Sequence, residues 1–410
     1  MVDGFKSLRN VTINIKPLTV LIGLNSSGKS SILQLFQVLK QSVLQGGNRL
    51  IANGSLVNLG SFADIASKAK RKKEIQVQIS GMRTQHLNPP FSRVTRYNYL
   101  MKIDANGLHY HQSSIRSGDF VVKGVYEREV DPKRMEIPVH EGSLLLAPQT
   151  RIGHPFQFAG STGDLGDFHH NIFQQQFLEV IAQDLSGFFL VPAIRGISSP
   201  SYPLDTRAST DLTDVLDLNK QAIKFASTVV YESPAMERKI NEWISRITGI
   251  NIRARTVPDK RASIEAFRRY NVNIINEGFG TNQLVHLFAQ IAKAPSGSLV
   301  GIEEPEVHLH PKAQSELAKV LSEIAKKERK NLILTTHGEH ILYRLLIEVA
   351  KGNLKREDLA IYHFRLSTKG VTSVKRLMPD EKGRLDKGIP DFLEKDLEEF
   401  KDFLDALKVK

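Results

Sequence analysis

Residues 23–30 read Gly-Leu-Asn-Ser-Ser-Gly-Lys-Ser, set between an apolar run, Pro17 to Ile22, and a helix-like stretch, Ser31 to Leu39. The apolar run reads as a buried strand. Strand, glycine-rich turn and helix in this order fit the pattern G-x-x-x-x-G-K-[ST] at every fixed position. Gly23 and Gly28 let the turn tighten and aim its N–H groups inward, and the helix N-terminus adds positive dipole. A polyphosphate is the ligand such a turn accepts. Lys29 is placed for the β- and γ-phosphates and the Ser30 hydroxyl for Mg²⁺. A chance Gly/Ser turn is the competing reading, and the flanking strand and helix argue against it.

Two further strands end in polar groups. In Ser298 to Pro311 an apolar segment runs into Glu303-Glu304-Pro305-Glu306, followed by Val307-His308-Leu309-His310. Adjacent carboxylates on a strand point to opposite faces. One can therefore serve Mg²⁺, which needs few protein carboxylates, while the other addresses a water near the γ-phosphate. A solvated turn is the bland alternative for a Glu-Glu pair. Asn331 to Thr336 is a third apolar run, ending at His337. In open α/β sheets ligands collect at the carboxyl ends of strands. Gly23, Glu303 and His337 thus nominate one pocket, although His337 alone would read as a satisfied core histidine. The motifs must meet, so they belong to one head despite the long chain between them.

These residues resemble the ABC-type ATPases, in the branch that contains SMC, RecF and OLD proteins. Gly23 to Ser30 resembles their Walker A loop, with Asn25 a discriminating detail. Glu303 to Pro311 resembles their Walker B and D-loop, and Thr335-Thr336-His337 their H-loop. Phe5-Lys6-Ser7-Leu8 before the first strand fits the same branch. Asn276 to Leu284, containing Gly278-Phe279-Gly280-Thr281-Asn282-Gln283, resembles the signature segment, with Asn282 where serine is usual. The resemblance spans roughly 1–65 and 270–380. It implies an α/β fold, a mixed sheet flanked by helices, with a β-rich and then α-helical insertion. It also implies that Gly23, Asn25, Ser26, Ser27, Gly28, Lys29, Ser30 and Ser31 hold ATP. Ser30 and Glu303 serve Mg²⁺, Glu304 polarises the attacking water, and His337 contacts the γ-phosphate. Gly280, Thr281 and Asn282 complete the site of a second copy. A homodimer or larger even assembly acting in DNA repair or antiphage defence is then expected. No nuclease domain of the TOPRIM kind is expected, so any nuclease would be a separate effector polypeptide.

The expected organisation is an N-terminal lobe over 1–65, an insertion over 66–270 and a C-terminal lobe over 271–410. The insertion reads first as β-hairpins, at Glu74 to Ile79, Arg96 to Ile103, Leu108 to Gln112 and Phe120 to Tyr126. Helices follow at Asn171 to Leu185, Asp214 to Val230 and Ser233 to Thr248, the last with a Ser-Pro start. Leu145 to Asp167 reads as a loop. Ile389 to Leu407 has helical apolar spacing that packs on its own core or on a partner.

The 410 residues carry a formal charge of +12, which raises the prior for nucleic acid, DNA first. Lys68 to Lys73 and Arg253 to Arg269 are the basic segments, the former a solvated turn or a DNA contact. Arg195, in Pro192-Ala193-Ile194-Arg195-Gly196, is a phosphate- or nucleic-acid-facing cation or a structural ion-pair partner, the structural role being favoured. With no cysteine, disulfides, Cys-ligated zinc and thiol catalysis are excluded. The apolar runs are too short to span a bilayer, so a cytoplasmic protein with no membrane partner is expected. A transporter-energising subunit and a nucleotide-gated scaffold with little turnover are the competing readings.

Overall fold

The computed structural model describes residues 1–46, 50–70, 73–83, 95–105, 107–117, 120–125, 184–203, 229–231, 233–267 and 269–385. The expected loop at 145–167, the terminal helix at 389–407 and nearly all of the expected helices at 171–185 and 214–230 lie outside these residues.

The chain divides into two units. The first comprises Met1–Thr12, Ser42–Ala52 and Gly60–Gln183. Its described strands form an antiparallel sheet in the order β1, β3, β4, β5, β6: β1 (Val2–Asp3), β3 (Ile75–Arg83), β4 (Thr95–Asp104), β5 (Gly107–Ser117) and β6 (Phe120–Val125). Alternation makes this sheet one-sided. Ile75, Val77 and Ile79 pair with Ile103, Met101 and Tyr99, and a period of two puts all six on one face. The hairpins anticipated from sequence are therefore present as β3 to β6, and the short helix α2 (Phe62–Ile65) lies just before them.

The second unit, Ile13–Gln41, Asn53–Leu59 and Asp184–Lys410, carries the nominated site. Its main sheet, among the described residues, runs β15, β14, β2, β13, β12, β7. These are β2 (Leu18–Gly23), β7 (Phe188–Val191), β12 (Leu299–Glu303), β13 (Asn331–Thr336), β14 (Leu359–Leu366) and β15 (Thr372–Leu377). Every pairing from β14 to β7 is parallel, and only the edge strand β15 is antiparallel. All six residues of β2 are buried, as a strand with neighbours on both edges and helices nearby requires. This is the mixed, helix-flanked sheet expected from the motifs. β7 belongs to this sheet although sequence placed it in the insertion, because Phe188 to Val191 is apolar enough to extend the buried edge beside β12.

The helices of this unit are α1 (Lys29–Gly46, whose last turns run into the first unit), α3 (Pro234–Thr248), α4 (Phe279–Lys293), α5 (Pro311–Lys327) and α6 (Glu339–Ala350). α3 begins as its sequence dictates. The Ser233 side chain accepts from the Met236 N–H, Pro234 opens the helix, and Gly249 closes it at φ 72°. Its Trp243 packs on Phe288 of α4 with ring centroids 5.2 Å apart. A smaller sheet pairs β10 (Arg261–Phe267) with β9 (Asn251–Val257), β11 (Asn271–Asn273) and β8 (Tyr202–Pro203). The basic segment from Arg253 is thus a hairpin. No described helix is long and apolar enough to cross a membrane.

Candidate functional site

Register brings the strand ends together. Glu303 lies beside Thr335, and Thr335 beside Leu21, so β12, β13 and β2 finish level at one edge. Strands about 4.8 Å apart then place the residues after Ile22, Ile302 and Thr336 within reach of one ligand.

The turn after β2 departs from ordinary backbone as a phosphate cradle must. Gly23 has φ 146°, Ser26 61° and Gly28 102°. A Cβ on Gly23 would lie 2.3 Å from the Phe364 carbonyl oxygen, so only glycine fits there. Asn25 and Ser26 are exposed, whereas Ser27 and Ser31 are buried. The Ser27 carbonyl accepts from the Thr372 hydroxyl at 2.8 Å, while its own hydroxyl has no partner among the described residues. Lys29 is 5% exposed, and its Nζ donates to the Gly23 and Leu24 carbonyls at 2.8 Å each. Burial pulls its pKa down, and Glu304 and Glu306 oppose that pull. A buried ammonium held by loop carbonyls is poised for stronger acceptors.

The two adjacent carboxylates part company. Glu303 accepts at 3.4 Å from the Ala193 N–H, and the Ser30 side chain beside it favours its charged form. Burial nonetheless pushes its pKa up, helped by Glu304. A divalent cation would relieve that burial cost, and Ser30 with Glu303 supplies one hydroxyl and one carboxylate, a donor set suited to Mg²⁺ completed by phosphates and water. Among the described residues no group of three or more His, Asp or Glu side chains is arranged as a protein-only metal cage. Glu304 adopts φ 42°, a conformation costing a non-glycine residue roughly 1–3 kcal/mol. Its Oε1 lies 3.0 Å from Nε2 of His337, both side chains about one-third exposed. The other ring nitrogen, Nδ1, is buried and without a partner among the described residues.

Two residues given no catalytic place by sequence hold these groups. Arg195 is buried, and its guanidinium donates to backbone carbonyls: Pro192 at 2.9 Å, Glu303 at 2.8 Å, Glu304 at 3.1 Å and, more weakly, Ala193 at 3.4 Å. The contacts are structural, but the expected ion pair is not formed among the described residues: the partners are main-chain oxygens. Glu306, also buried, accepts at Oε1 from the Thr336 hydroxyl and from the backbone N–H groups of His337 and Gly338. A third carboxylate past a proline reads as solvated turn in sequence. Only the fold of β13 across it buries it.

The signature-like segment differs from expectation at one position. Gly278 precedes α4, and Phe279 is exposed with its ring edge-on to His308 at 4.9 Å. Gly280 backs onto the His308 carbonyl, which an added Cβ would approach to 2.6 Å. Thr281 is buried. The Asn282 amide does not point outward as a phosphate donor. It is 2% exposed, donates to the Ile197 carbonyl at 2.8 Å and to the Ile274 carbonyl at 3.4 Å, and accepts from the Ile197 N–H. Burial of the helix all round explains this. Every residue from Thr281 to Ala289 of α4 is buried, so the Asn282 side chain has no solvent-facing side to turn to and braces the 195–197 segment.

The basic candidates are partly committed. Lys70 pairs with Asp3 in the first unit. In the hairpin, Arg255 pairs with Glu265 at 3.1 Å and Arg253 stacks on Phe267 at 4.5 Å, with both arginines still exposed.

The family model described as "AAA ATPase domain" matches residues 1–135 and 209–342, more than half of the chain. A search of curated proteins finds no match. Among solved structures, the chain is similar to an Smc head bound to the C-winged helix domain of ScpA, at 16% identity and TM-score 0.47, covering 92% of this chain and 96% of that one. It is similar to a Pyrococcus furiosus Smc head with an extended coiled coil bound to the C-terminal domain of ScpA, at 14% identity, TM-score 0.42 and 98% of each chain. It is similar to the Thermotoga maritima SMC head domain, at 13% identity, TM-score 0.39, with 91% of this chain and 96% of that one.

Proposed function

The chain belongs to the AAA ATPase domain family, and from that premise we propose that it binds ATP with Mg²⁺ and hydrolyses it, using closure of two copies to act on DNA or on a partner effector. The observation that carries this reading is the convergence of a buried lysine, a buried Glu303 and a Glu304–His337 contact at three level strand ends. Lys29 and the loop N–H groups would hold the phosphates. Ser30 and Glu303 would hold Mg²⁺, which neutralises charge on the phosphates when bound. Glu304 accepts the proton of the attacking water, and the Nε2–H of His337, which here meets the Glu304 carboxylate and orients it, is the donor it would share with the γ-phosphate. Positioning and charge stabilisation do most of the work in such a reaction.

The N-terminus of α4, with Gly280 closely backed and Phe279 exposed, would complete the site of a second copy. Asn282 then contributes by bracing that helix rather than by touching phosphate. The formal charge of +12 and the exposed arginines of β9 support nucleic acid as a partner. A role in DNA repair or antiphage defence, with a separate nuclease or effector, follows from the resemblance of the motifs.

Glu304→Gln tests the core of this reading. The amide keeps shape and can still meet His337, but it cannot take a proton. ATP binding should persist while hydrolysis falls about 100-fold or more, as for loss of a general base. Trapped ATP should then accumulate a dimer visible by light scattering. Wild-type hydrolysis would overturn the base assignment. Lost turnover without ATP-dependent assembly would remove the shared site and spare the base.

A further inference from the structure

We propose that Glu306 is a positioning residue for hydrolysis: one buried carboxylate oxygen sets the main chain of His337 and, through its ring, the Glu304 carboxylate. This rests on the roles given above to Glu304 and His337.

A histidine that must point one ring nitrogen at a reacting group is usually aimed by a hydrogen bond at the other nitrogen. His337 lacks that device. Its Nε2 meets Glu304 at 3.0 Å, but its Nδ1 is buried without a partner among the described residues. The ring direction must therefore come from the backbone that carries it. Oε1 of Glu306 grips that backbone on both sides. It accepts from the Thr336 hydroxyl at 2.6 Å, the His337 N–H at 3.0 Å and the Gly338 N–H at 3.1 Å. Thr336 also accepts at its hydroxyl from the Gly338 N–H, at 2.8 Å, which ties the group together.

Glu306 is itself held by a turn it shares with the catalytic strand end. The Glu304 carbonyl accepts from the Val307 N–H and the Glu306 carbonyl from the Leu309 N–H. The turn after β12 and the turn after β13 are thereby joined, with Glu304 on one and His337 on the other. Such a join sets the distance between base and histidine independently of the phosphate loop. The second oxygen of Glu306, Oε2, is buried and accepts nothing among the described residues. All of the positioning therefore passes through a single acceptor, which an amide can replace.

That asymmetry makes the proposal testable. Glu306→Ala removes the acceptor; Glu306→Gln keeps it. Misplacement by about 1 Å can cost up to about 100-fold in rate, so Glu306→Ala should lower kcat at least tenfold with the Kd for ATP little changed. Glu306→Gln should stay within about threefold of wild type. In a His337→Ala background, adding Glu306→Ala should produce no further loss, because coupled residues are not additive. Gly338→Ala provides a milder variant with every hydrogen-bonding group intact. Gly338 has φ −77°, which alanine accepts, but its Cβ would stand 3.1 Å from Cγ and 3.3 Å from Cδ of Glu306, and 3.2 Å from the Thr336 hydroxyl that Glu306 holds. A several-fold loss of kcat is expected there, and this variant carries the test should Glu306→Ala fail to fold. The proposal is overturned if Glu306→Ala or Gly338→Ala turns over at the wild-type rate, or if Glu306→Gln falls as far as alanine. It is also overturned if the alanine loss is undiminished without His337. His337→Ala at the wild-type rate would instead show that the reading of His337 beneath it is wrong.

Discussion

Replacing Arg195 with methionine keeps most of the side-chain volume and removes the donors that hold the end of β12. Three of its contacts to carbonyl oxygens fall between 2.8 and 3.1 Å. A hydrogen bond from a charged donor contributes about 1.5–3 kcal/mol, so the three together favour the native state by roughly 5–9 kcal/mol. Against this stands burial of the cation, which lowers its pKa well below the usual guanidinium value, to about 10, even though Glu306, Glu303 and Glu304 raise it. At 1.36 kcal/mol per pKa unit that is a penalty of about 3 kcal/mol, and methionine is relieved of it. The balance predicts a loss of about 2–6 kcal/mol for Arg195→Met. Urea unfolding followed by fluorescence suits the measurement, because the single tryptophan, Trp243, lies in the core of the unit that contains Arg195. The carbonyls released are those of Glu303 and Glu304, so hydrolysis measured well below the urea midpoint should fall as well. A loss under about 1 kcal/mol would refute the claim that this guanidinium organises the strand end. Unchanged hydrolysis in a destabilised variant would confine its role to stability.

Three other outcomes are expected. Lys29→Ala should weaken ATP binding by about 100-fold or more, since the phosphates lose their point charge, and micromolar binding by calorimetry would contradict this. His286 is buried beside Arg195, and burial first, then that charge, lowers its pKa from 6.5 to about 3. The unfolded chain therefore binds more protons between about pH 6.5 and pH 3. Stability should fall as pH drops through that window, by up to about 1.4 kcal/mol per unit, and His286→Gln should flatten the slope in urea midpoints taken from pH 7 to 5. If DNA is a partner, affinity should drop steeply with salt as counterions are released, and a flat response between 50 and 200 mM on the order used for such tests would argue against an electrostatic footprint.

The phosphate loop was legible because its requirements are local. A strand, a turn needing glycine at positions 23 and 28, and a helix starting at Lys29 are all specified within a few residues. The strands bearing Glu303 and His337 were equally plain, since apolar runs with polar ends report both burial and the position of the sheet edge. What the sequence by itself determined is thus the α/β class, the helix α3 with its Ser233–Pro234 start, and the residues that gather at the strand ends. The supports of those residues were decided only by the tertiary structure. Glu306 reaches Thr336 across 30 positions, Asn282 reaches Ile197 across 85, and Arg195 reaches Glu303 across 108. A carboxylate, an amide or a guanidinium has the same local signature whether it meets water or a distant carbonyl. Asn282 shows the consequence. Its motif position suggested a ligand contact, but the turn of α4 carried its amide into the interior, where it meets both the N–H and the carbonyl of Ile197. Motifs are specified by neighbours along the chain, whereas the groups that aim them are specified by which buried polar atoms must be satisfied once the sheet has closed.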